Sequence, residues 1–331
     1  MYVVGAGAVG TFLGDLLRST GATVSYAPRA LHDVVPARAE LAIVAVKAYD
    51  TPAAIETLRR AFGDDASATI LTPQNGVGNE EALAAAFGAD RVVSCALTVP
   101  LERGADGAVV AAHGGGIALA PVGTIAHNWL IAAFERGPVA VKVTGDYRSL
   151  KWSKLALNII ANAGCAILDV LPRELVALPD VFALEILAIR EARTVMAALN
   201  VTAVDLPRYP VRALFAAASL PMPLACAILR RRVAGARGSK PPSLLLDVRA
   251  GKDRTEIDVL NGAIVQEGRR LGIATPVNSA YVGVLAELAR SWNARAAERG
   301  KPARLLVAVA AEIRASEAAA RTARANIAAR P

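Results

Sequence analysis

The six residues GAGAVG at positions 5–10 limit most strongly what this chain can fold into. They follow the apolar run YVV and open the helical pattern of GTFLGDLLRSTG. In this context Gly5 permits a tight turn, Gly7 lets a pyrophosphate approach the main chain, and Gly10 lets helix and strand pack closely. The motif therefore predicts a dinucleotide-binding βα turn. Its cofactor-binding residues would be Gly5, Ala6, Gly7, Ala8, Val9 and Gly10.

The first half of the chain continues as a βαβ series. Apolar β-branched runs alternate with helical patterns, and these runs are ATVSY (22–26), LAIVAVK (41–47), ATILTPQNG (68–76) and RVVSCALTV (91–99). The series predicts an α/β fold with a mostly parallel, Rossmann-type doubly wound sheet. The short runs GAVVAA, GIALAPVG and VAVKVTG (139–145) are expected to complete that sheet.

From about residue 146 onward the pattern is helical and shows no convincing strand. With 331 residues, of which 54% are hydrophobic, the chain is long enough for two domains. We therefore expect a dinucleotide-binding domain over residues 1–146 and an all-helical substrate and dimerisation domain over 147–331. The alanine-rich C-terminal helices could pair two subunits, so a homodimer is also expected.

Composition excludes several other classes of protein. No basic leader precedes an apolar stretch, and the apolar run 213–229 is short for a membrane span and contains Pro221 and Pro223. A cytoplasmic protein with no membrane partner is therefore expected. The three cysteines are far apart and odd in number, and the histidines have no ligand spacing, so neither a disulfide framework nor a metal site is expected.

The net charge of +8 raises the possibility of a nucleic-acid partner. The basic residues concentrate in the run 230–240 and beyond Asn293, without interleaved aromatic residues that could stack on bases. No nucleic-acid partner is therefore expected. The basic segments are either solvated helix ends and loops or an electropositive approach to an anionic cofactor and substrate.

The end of the second strand indicates which dinucleotide would bind. NAD-binding proteins place an acidic residue at the end of the second strand, about twenty residues beyond the glycines. In this chain the first acidic residue after that strand is Asp33. Arg29 lies where a guanidinium could pair with a 2′-phosphate, which favours NADP(H); the alternative is an ordinary surface arginine. Lys47 and Asn75 end the third and fourth strands on the predicted cofactor side, although strand-end turns often carry such residues without a function.

A polar stripe marks the segment KWSKLALNIIAN at 151–162. Lys154, Asn158 and Asn162 recur at intervals of four, which would stack them on one face of a single helix. The stripe is either the solvated face of an amphipathic helix or a buried row that faces a ligand. Lys151 lies about 60° away around the helix and is expected to tolerate substitution better than Lys154.

These motifs, together with SLLLDVRAGKDRTEIDVLNG (243–262) and GIATP (272–276), resemble the ketopantoate reductases, also called 2-dehydropantoate 2-reductases. The resemblance implies a two-domain fold like that of 6-phosphogluconate dehydrogenase, with the active site in the cleft between the domains. It also implies NADPH-dependent reduction of a 2-keto acid, foremost ketopantoate to pantoate in pantothenate and coenzyme A biosynthesis. Carried over by position, the catalytic residues are Lys154 and Glu256, and the substrate-binding residues are Asn158, Asn162 and Ser243.

Two alternatives remain for the site. Thr255 could be a helix N-cap with Glu256 as its first-turn carboxylate, and Ser243 could be a cap as well. The asparagines that family members often carry near Arg173 and Lys240 are absent here, so the substrate could be a different 2-keto acid. A non-catalytic NADP(H)-binding sensor is the alternative outside enzymes.

Overall fold

The computed structural model describes residues 1–35, 37–63, 67–104, 107–112, 114–237, 240–290 and 299–328. The chain divides into two compact units. The first comprises Met1–Leu155 and Thr202–Val211, and the second comprises Ala156–Val201 and Arg212–Pro331. The sequence instead suggests one boundary near residue 146, and that domain boundary stays a prediction.

Nine strands lie in the described part of the first unit. They are β1 (Tyr2–Val4), β2 (Ser25–Tyr26), β3 (Leu41–Val44), β4 (Thr69–Thr72), β5 (Val92–Leu97), β6 (Leu101–Arg103), β7 (Val109–Ala111), β8 (Gly116–Pro121) and β9 (Ala140–Val143). Seven of them form one sheet in the order β2-β1-β3-β4-β5-β8-β9. Every neighbouring pair in this sheet is parallel except β5 and β8. The predicted mostly parallel sheet is confirmed.

Helices cover both faces of this sheet, as expected for a doubly wound fold. They are α1 (Ala8–Ser19), α2 (Thr51–Phe62), α3 (Asn79–Phe87) and α4 (Asn128–Glu135). On one face, Leu13 of α1 and Phe134 of α4 share a core with Ile43. On the other face, Leu58 of α2 and Leu83 of α3 pack with strand residues of opposite parity. This alternation follows from the two-residue period of a strand.

One strand prediction was wrong. The run GAVVAA does not complete the main sheet, because β7 pairs antiparallel with β6 in a separate two-stranded ribbon. Its side chains are half-buried or exposed. A strand with no buried face gains little from a place inside a covered sheet, and β8 pairs with β5 instead.

The described residues from 147 onward contain helices and no named strand, as predicted. The helices are α5 (Tyr147–Ile159), α6 (Ala163–Leu168), α7 (Pro172–Leu175), α8 (Pro179–Ala198), α9 (Val211–Ala218), α10 (Met222–Arg237), α11 (Ser243–Arg249), α12 (Asn261–Leu271), α13 (Pro276–Ala289) and α14 (Ala303–Ala328). The basic run at 230–232 lies on the exposed side of α10, while residues 238–239 and 291–298 lie outside the described residues. Among the described helices, none is both long and apolar enough to cross a bilayer.

Candidate active site

The glycines of the loop after β1 differ in the space beside them: Gly5 and Gly10 lie against neighbouring main chain, whereas Gly7 borders open space. A Cβ on Gly5 would lie 2.7 Å from the Ala45 carbonyl carbon, and a Cβ on Gly10 would lie 2.0 Å from the Gly5 carbonyl oxygen. Gly5 also has a left-handed φ of +105°. A Cβ on Gly7, by contrast, would have no neighbour within 4 Å. Gly7 is the N-cap of α1, so the space beside it faces helix N–H groups that have no intrahelical partner.

The chain that follows β2 carries the residue proposed to read the cofactor's phosphate. Arg29 is exposed and lies shortly after the strand end. The first acid, Asp33, is exposed in the next turn and lies 3.5 Å from the His32 ring. No residue from Tyr26 to His32 carries a carboxylate.

Lys47 and Asn75 both lie in turns directly after strands of the first unit. A buried residue that the sequence did not single out, Gln74, connects these turns. Its Nε2 donates to the Val46 carbonyl at 3.2 Å and to Thr51 Oγ1 at 2.8 Å. Gln74 precedes Asn75 and Val46 precedes Lys47, so one side chain fixes both turns. A neutral amide between two strand ends offers no charge or spacing signal in sequence.

Lys151 does not occupy the tolerant position that helix periodicity suggests. Its side chain is only 2% exposed, and Nζ lies 3.1 Å from Oε1 of Glu80, which is fully buried. Burial raises the pKa of the Glu80 carboxyl despite the opposing effect of the Lys151 ammonium. Removal of one member of a buried ion pair is strongly destabilising. This burial is evidence against the expectation that Lys151 tolerates substitution; how its replacement compares with that of Lys154 in activity stays a prediction.

Helix α5 leaves one narrow opening along the predicted stripe. Within residues 149–159 only Lys154, Leu157 and Asn158 are half-buried, and every other side chain is buried. A solvated helix face would show several exposed charges instead. The pattern favours the hypothesis that Lys154 and Asn158 face a ligand.

The stripe does not continue along one helix, and this corrects the single-helix prediction. Helix α5 ends at Ile159, and Ala161 adopts a left-handed φ of 49°. Asn162 is therefore the N-cap of α6 rather than the next residue of the stripe. The main-chain N–H of the preceding residue, Ala161, donates to Oε2 of buried Glu185 at 2.6 Å.

Asn162 is 2% exposed, and its amide bonds to its own chain. Nδ2 donates to the Asn158 carbonyl at 2.8 Å and approaches Ser243 Oγ at 3.4 Å. Oδ1 accepts the N–H of Leu244 at 3.1 Å. Asn162 thus satisfies a first-turn donor of α11, while Ser243 is the half-buried first residue of that helix. The capping role considered for Ser243 is performed by Asn162.

Glu256 lies in the 3-10 turn Glu256–Val259 and is 4% exposed. Thr255 is the N-cap of this turn, and its Oγ1 accepts the N–H of Ile257 at 3.4 Å. Thr255 therefore has the capping role considered for it. Glu256 is nevertheless a buried carboxylate, which is more than a helix terminus requires. Near the two positions that depart from the family pattern, Arg173 is exposed and Lys240 is half-buried.

Comparison with known proteins decides the family. A profile described as "Ketopantoate reductase PanE/ApbA" matches residues 25–123, and one described as "Ketopantoate reductase PanE/ApbA C terminal" matches residues 146–289. The chain belongs to the ketopantoate reductase family. It is therefore an oxidoreductase of the class that reduces 2-keto acids with a nicotinamide cofactor.

Individual relatives support this family assignment. The 2-dehydropantoate 2-reductase of Pyrobaculum aerophilum is 30% identical over 243 residues, which are 73% of this chain and 75% of the relative. That of Halobacterium salinarum is 31% identical over 264 residues, which are 77% of each chain. The crystal structure of a PanE/ApbA family ketopantoate reductase from Ralstonia eutropha JMP134 superposes with a TM-score of 0.70 at 28% identity, covering 88% of this chain and 99% of that one.

Proposed function

We propose that this protein reduces ketopantoate to pantoate with NADPH, as a step of pantothenate and coenzyme A biosynthesis. The observation that carries the proposal is the opening on helix α5. Lys154 and Asn158 are the polar side chains that remain accessible on a segment otherwise buried from residue 149 to 159. An ammonium and a neutral amide, one helical turn apart, suit a ketone oxygen and a neighbouring polar group of a small acid.

The bound reduced nicotinamide would supply a hydride to the ketone carbon. Negative charge then develops on the ketone oxygen, and the Lys154 ammonium can both stabilise that charge and donate the proton. General acid catalysis of this kind contributes about 10²–10⁴-fold. Asn158 and Ser243 bind neutral or anionic oxygens of the substrate without competing for the proton, and Asn162 holds Ser243. The Glu256 carboxylate accepts a hydrogen bond from the substrate's hydroxyl.

The glycine loop fits the proposed cofactor. The space beside Gly7 admits a pyrophosphate, while the closeness of Gly5 and Gly10 to neighbouring main chain keeps the loop in the shape that exposes the α1 N-terminus. The preference for NADP(H) is supported by exposed Arg29 and by the segment from Tyr26 to His32, which carries no carboxylate that would repel a 2′-phosphate. Lys47 and Asn75 are the further cofactor-binding residues that we propose, and they lie in the two turns that Gln74 connects.

Steady-state kinetics on two acids test the proposal. A site that hydrogen-bonds a substrate hydroxyl rejects an analogue without it strongly, because the buried partner is left unpaired. We expect ketopantoate to be reduced much faster than 2-ketoisovalerate, and Glu256→Ala to narrow that gap by slowing only the hydroxylated acid. Asp258→Ala, which removes an exposed carboxylate from the same turn, is the matched control and should change neither rate.

The result also separates the alternatives. Equal rates with both acids, or reduction of a bulkier acid alone, would favour a different 2-keto acid as substrate, the alternative raised by the asparagines missing near Arg173 and Lys240. No oxidation of NADPH with any 2-keto acid would contradict the proposal and support the cofactor-binding sensor. The homodimer and the cytoplasmic location stay predictions.

A further inference from the structure

The first unit contains a buried charge pair that the proposed reaction does not use. Lys151 and Glu80 are 2% and 0% exposed, and their charged atoms lie 3.1 Å apart. Desolvation of two charges usually offsets most of their attraction, so such a pair is weak evidence for added stability. Its position is more informative, since Lys151 precedes Lys154 on α5 by three residues.

Lys151 makes a second contact that reaches the predicted cofactor side. Its ammonium donates to the main-chain carbonyl of Gln74, the residue before Asn75. Glu80, in the first turn of α3, is held in turn by Ser94, whose Oγ donates to Glu80 Oε1 at 2.9 Å. Lys151 therefore joins the turn that carries Asn75 to the helix that carries Lys154.

The turn is fixed from its other end as well. Asn79 Nδ2 donates to the Asn75 carbonyl at 3.0 Å, and Asn79 Oδ1 accepts from Thr51 Oγ1 at 3.0 Å. Thr51 Oγ1 also accepts from the Gln74 side chain. The main chain on both sides of the Asn75 side chain is thus bonded to buried groups, and only Lys151 among these donors comes from α5.

The charged groups in this region share one neighbour. Cys95 on β5 is fully buried, and burial raises the pKa of its thiol to about 12. The charges of Lys151 and Lys154 lower the pKa of this thiol and that of Glu80 raises it, so all three groups lie within electrostatic range of Cys95. Glu81 follows Glu80 on α3, and Tyr147 is the first residue of α5. The Tyr147 hydroxyl donates to Glu81 Oε1 at 3.2 Å, so a second contact joins the same two helices.

We propose that Lys151 is a positioning residue: it holds the Asn75 turn against the helix of Lys154, and Glu80 holds the Lys151 ammonium in place. The role rests on the proposed function, because it acts through Asn75 and Lys154. It requires no contact between Lys151 and either substrate or cofactor.

A double-mutant cycle tests this role on the full-length enzyme. Lys151→Met keeps the shape of the side chain but removes both bonds. We expect kcat/KM to fall about 10²-fold, the scale of a 1 Å misplacement of a reacting group. In an Asn75→Ala background the same substitution should cost less than about twofold, because coupled residues are non-additive. Glu80→Gln, which retains an acceptor for Lys151, should have the smaller effect.

The control is a variant with comparable burial and no link to the turn. His127→Gln also removes buried polar contacts within the first unit, at the start of β4, and should lower thermal stability while leaving kcat/KM within about twofold. Equal costs of Lys151→Met in the two backgrounds, or an unchanged kcat/KM in the folded variant, would reduce Lys151 to a structural residue and overturn the proposal.

Hydrogen exchange separates this proposal from the reaction itself. Amide exchange of residues 74–80 should quicken in Lys151→Met but not in His127→Gln, while peptides from β1 and β3 stay unchanged. This readout needs no substrate. A wild type that fails to oxidise NADPH would contradict the proposed function, whereas unchanged exchange at 74–80 would contradict the positioning role.

Discussion

Replacement of Asn162 by alanine should damage stability more than catalysis. The substitution removes the acceptor of the buried Leu244 N–H, now 3.1 Å away, and a donor 2.8 Å from the carbonyl of half-buried Asn158. An unsatisfied buried polar group costs about 1–3 kcal/mol, so loss of the partner of the Leu244 N–H should lower the free energy of unfolding by about 1–3 kcal/mol. Loss of the weaker 3.4 Å contact to Ser243 adds little.

Asn158→Ala is the matched variant, since it removes the same amide one turn earlier. The Asn158 side chain is half-buried, so its loss should change the free energy of unfolding by less than about 1 kcal/mol. If Asn158 contacts substrate, the variant should instead raise KM for the keto acid. Asn158 would then bind the substrate, whereas Asn162 would stabilise the fold.

Urea unfolding followed by tryptophan fluorescence measures the first quantity, and steady-state kinetics below the unfolding transition measure the second. A two-unit chain can unfold in more than one step, so the transition of the second unit must be resolved before free energies are compared. An unchanged unfolding transition for Asn162→Ala, combined with a raised KM, would show that its amide faces the substrate and would refute the reasoning.

Two further predictions concern the first unit. Arg29→Ala should weaken NADPH binding by about 1.5–3 kcal/mol and leave NADH binding nearly unchanged in fluorescence titrations, because one charge-assisted phosphate contact is lost; equal losses would exclude a role in reading the phosphate. Burial lowers the pKa of His127 below 6.5, so the unfolded chain takes up the proton first and stability should fall as pH decreases from 6.5 toward the folded value. His127→Gln should abolish this part of the pH dependence of thermal unfolding, and a retained slope would assign it to another group.

The parts of the fold set by local pattern could be predicted from sequence. Strands β1 to β5 all fall within the apolar runs, and β1, β3, β4 and β5 are buried throughout, as parallel strands covered on both faces are. The run at 41–47 was too long, since β3 ends at Val44 and Lys47 belongs to the turn. The partner of β7 could not be predicted, because pairing depends on which edges remain open once β8 has joined β5.

In the candidate site, too, contacts between residues distant in sequence could not be predicted. Helix periodicity gives the direction of a side chain but not what covers it. It therefore predicts a tolerant Lys151, whereas Glu80, distant in sequence, pairs with its buried ammonium. The sequence gives no sign of the role of Gln74, because its contacts to Val46 and Thr51 exist only once two strand ends meet. Lys154 and Asn158 were placed together correctly, since one continuous helix turn separates them.

The break at Ala161 explains why the polar stripe has two kinds of members. A left-handed alanine costs about 1–3 kcal/mol and persists only where surrounding contacts over-determine it. Those contacts centre on buried Glu185, which accepts the Ala161 N–H at 2.6 Å and the Tyr281 hydroxyl at 2.9 Å. A Cβ on Gly164 would lie 2.3 Å from the same carboxylate, so the following helix can approach it only through a glycine. A continuous helix would need none of these features. Because the chain keeps them, Asn162 does not continue the helix of Lys154 and Asn158, and it anchors the helix that begins with Ser243.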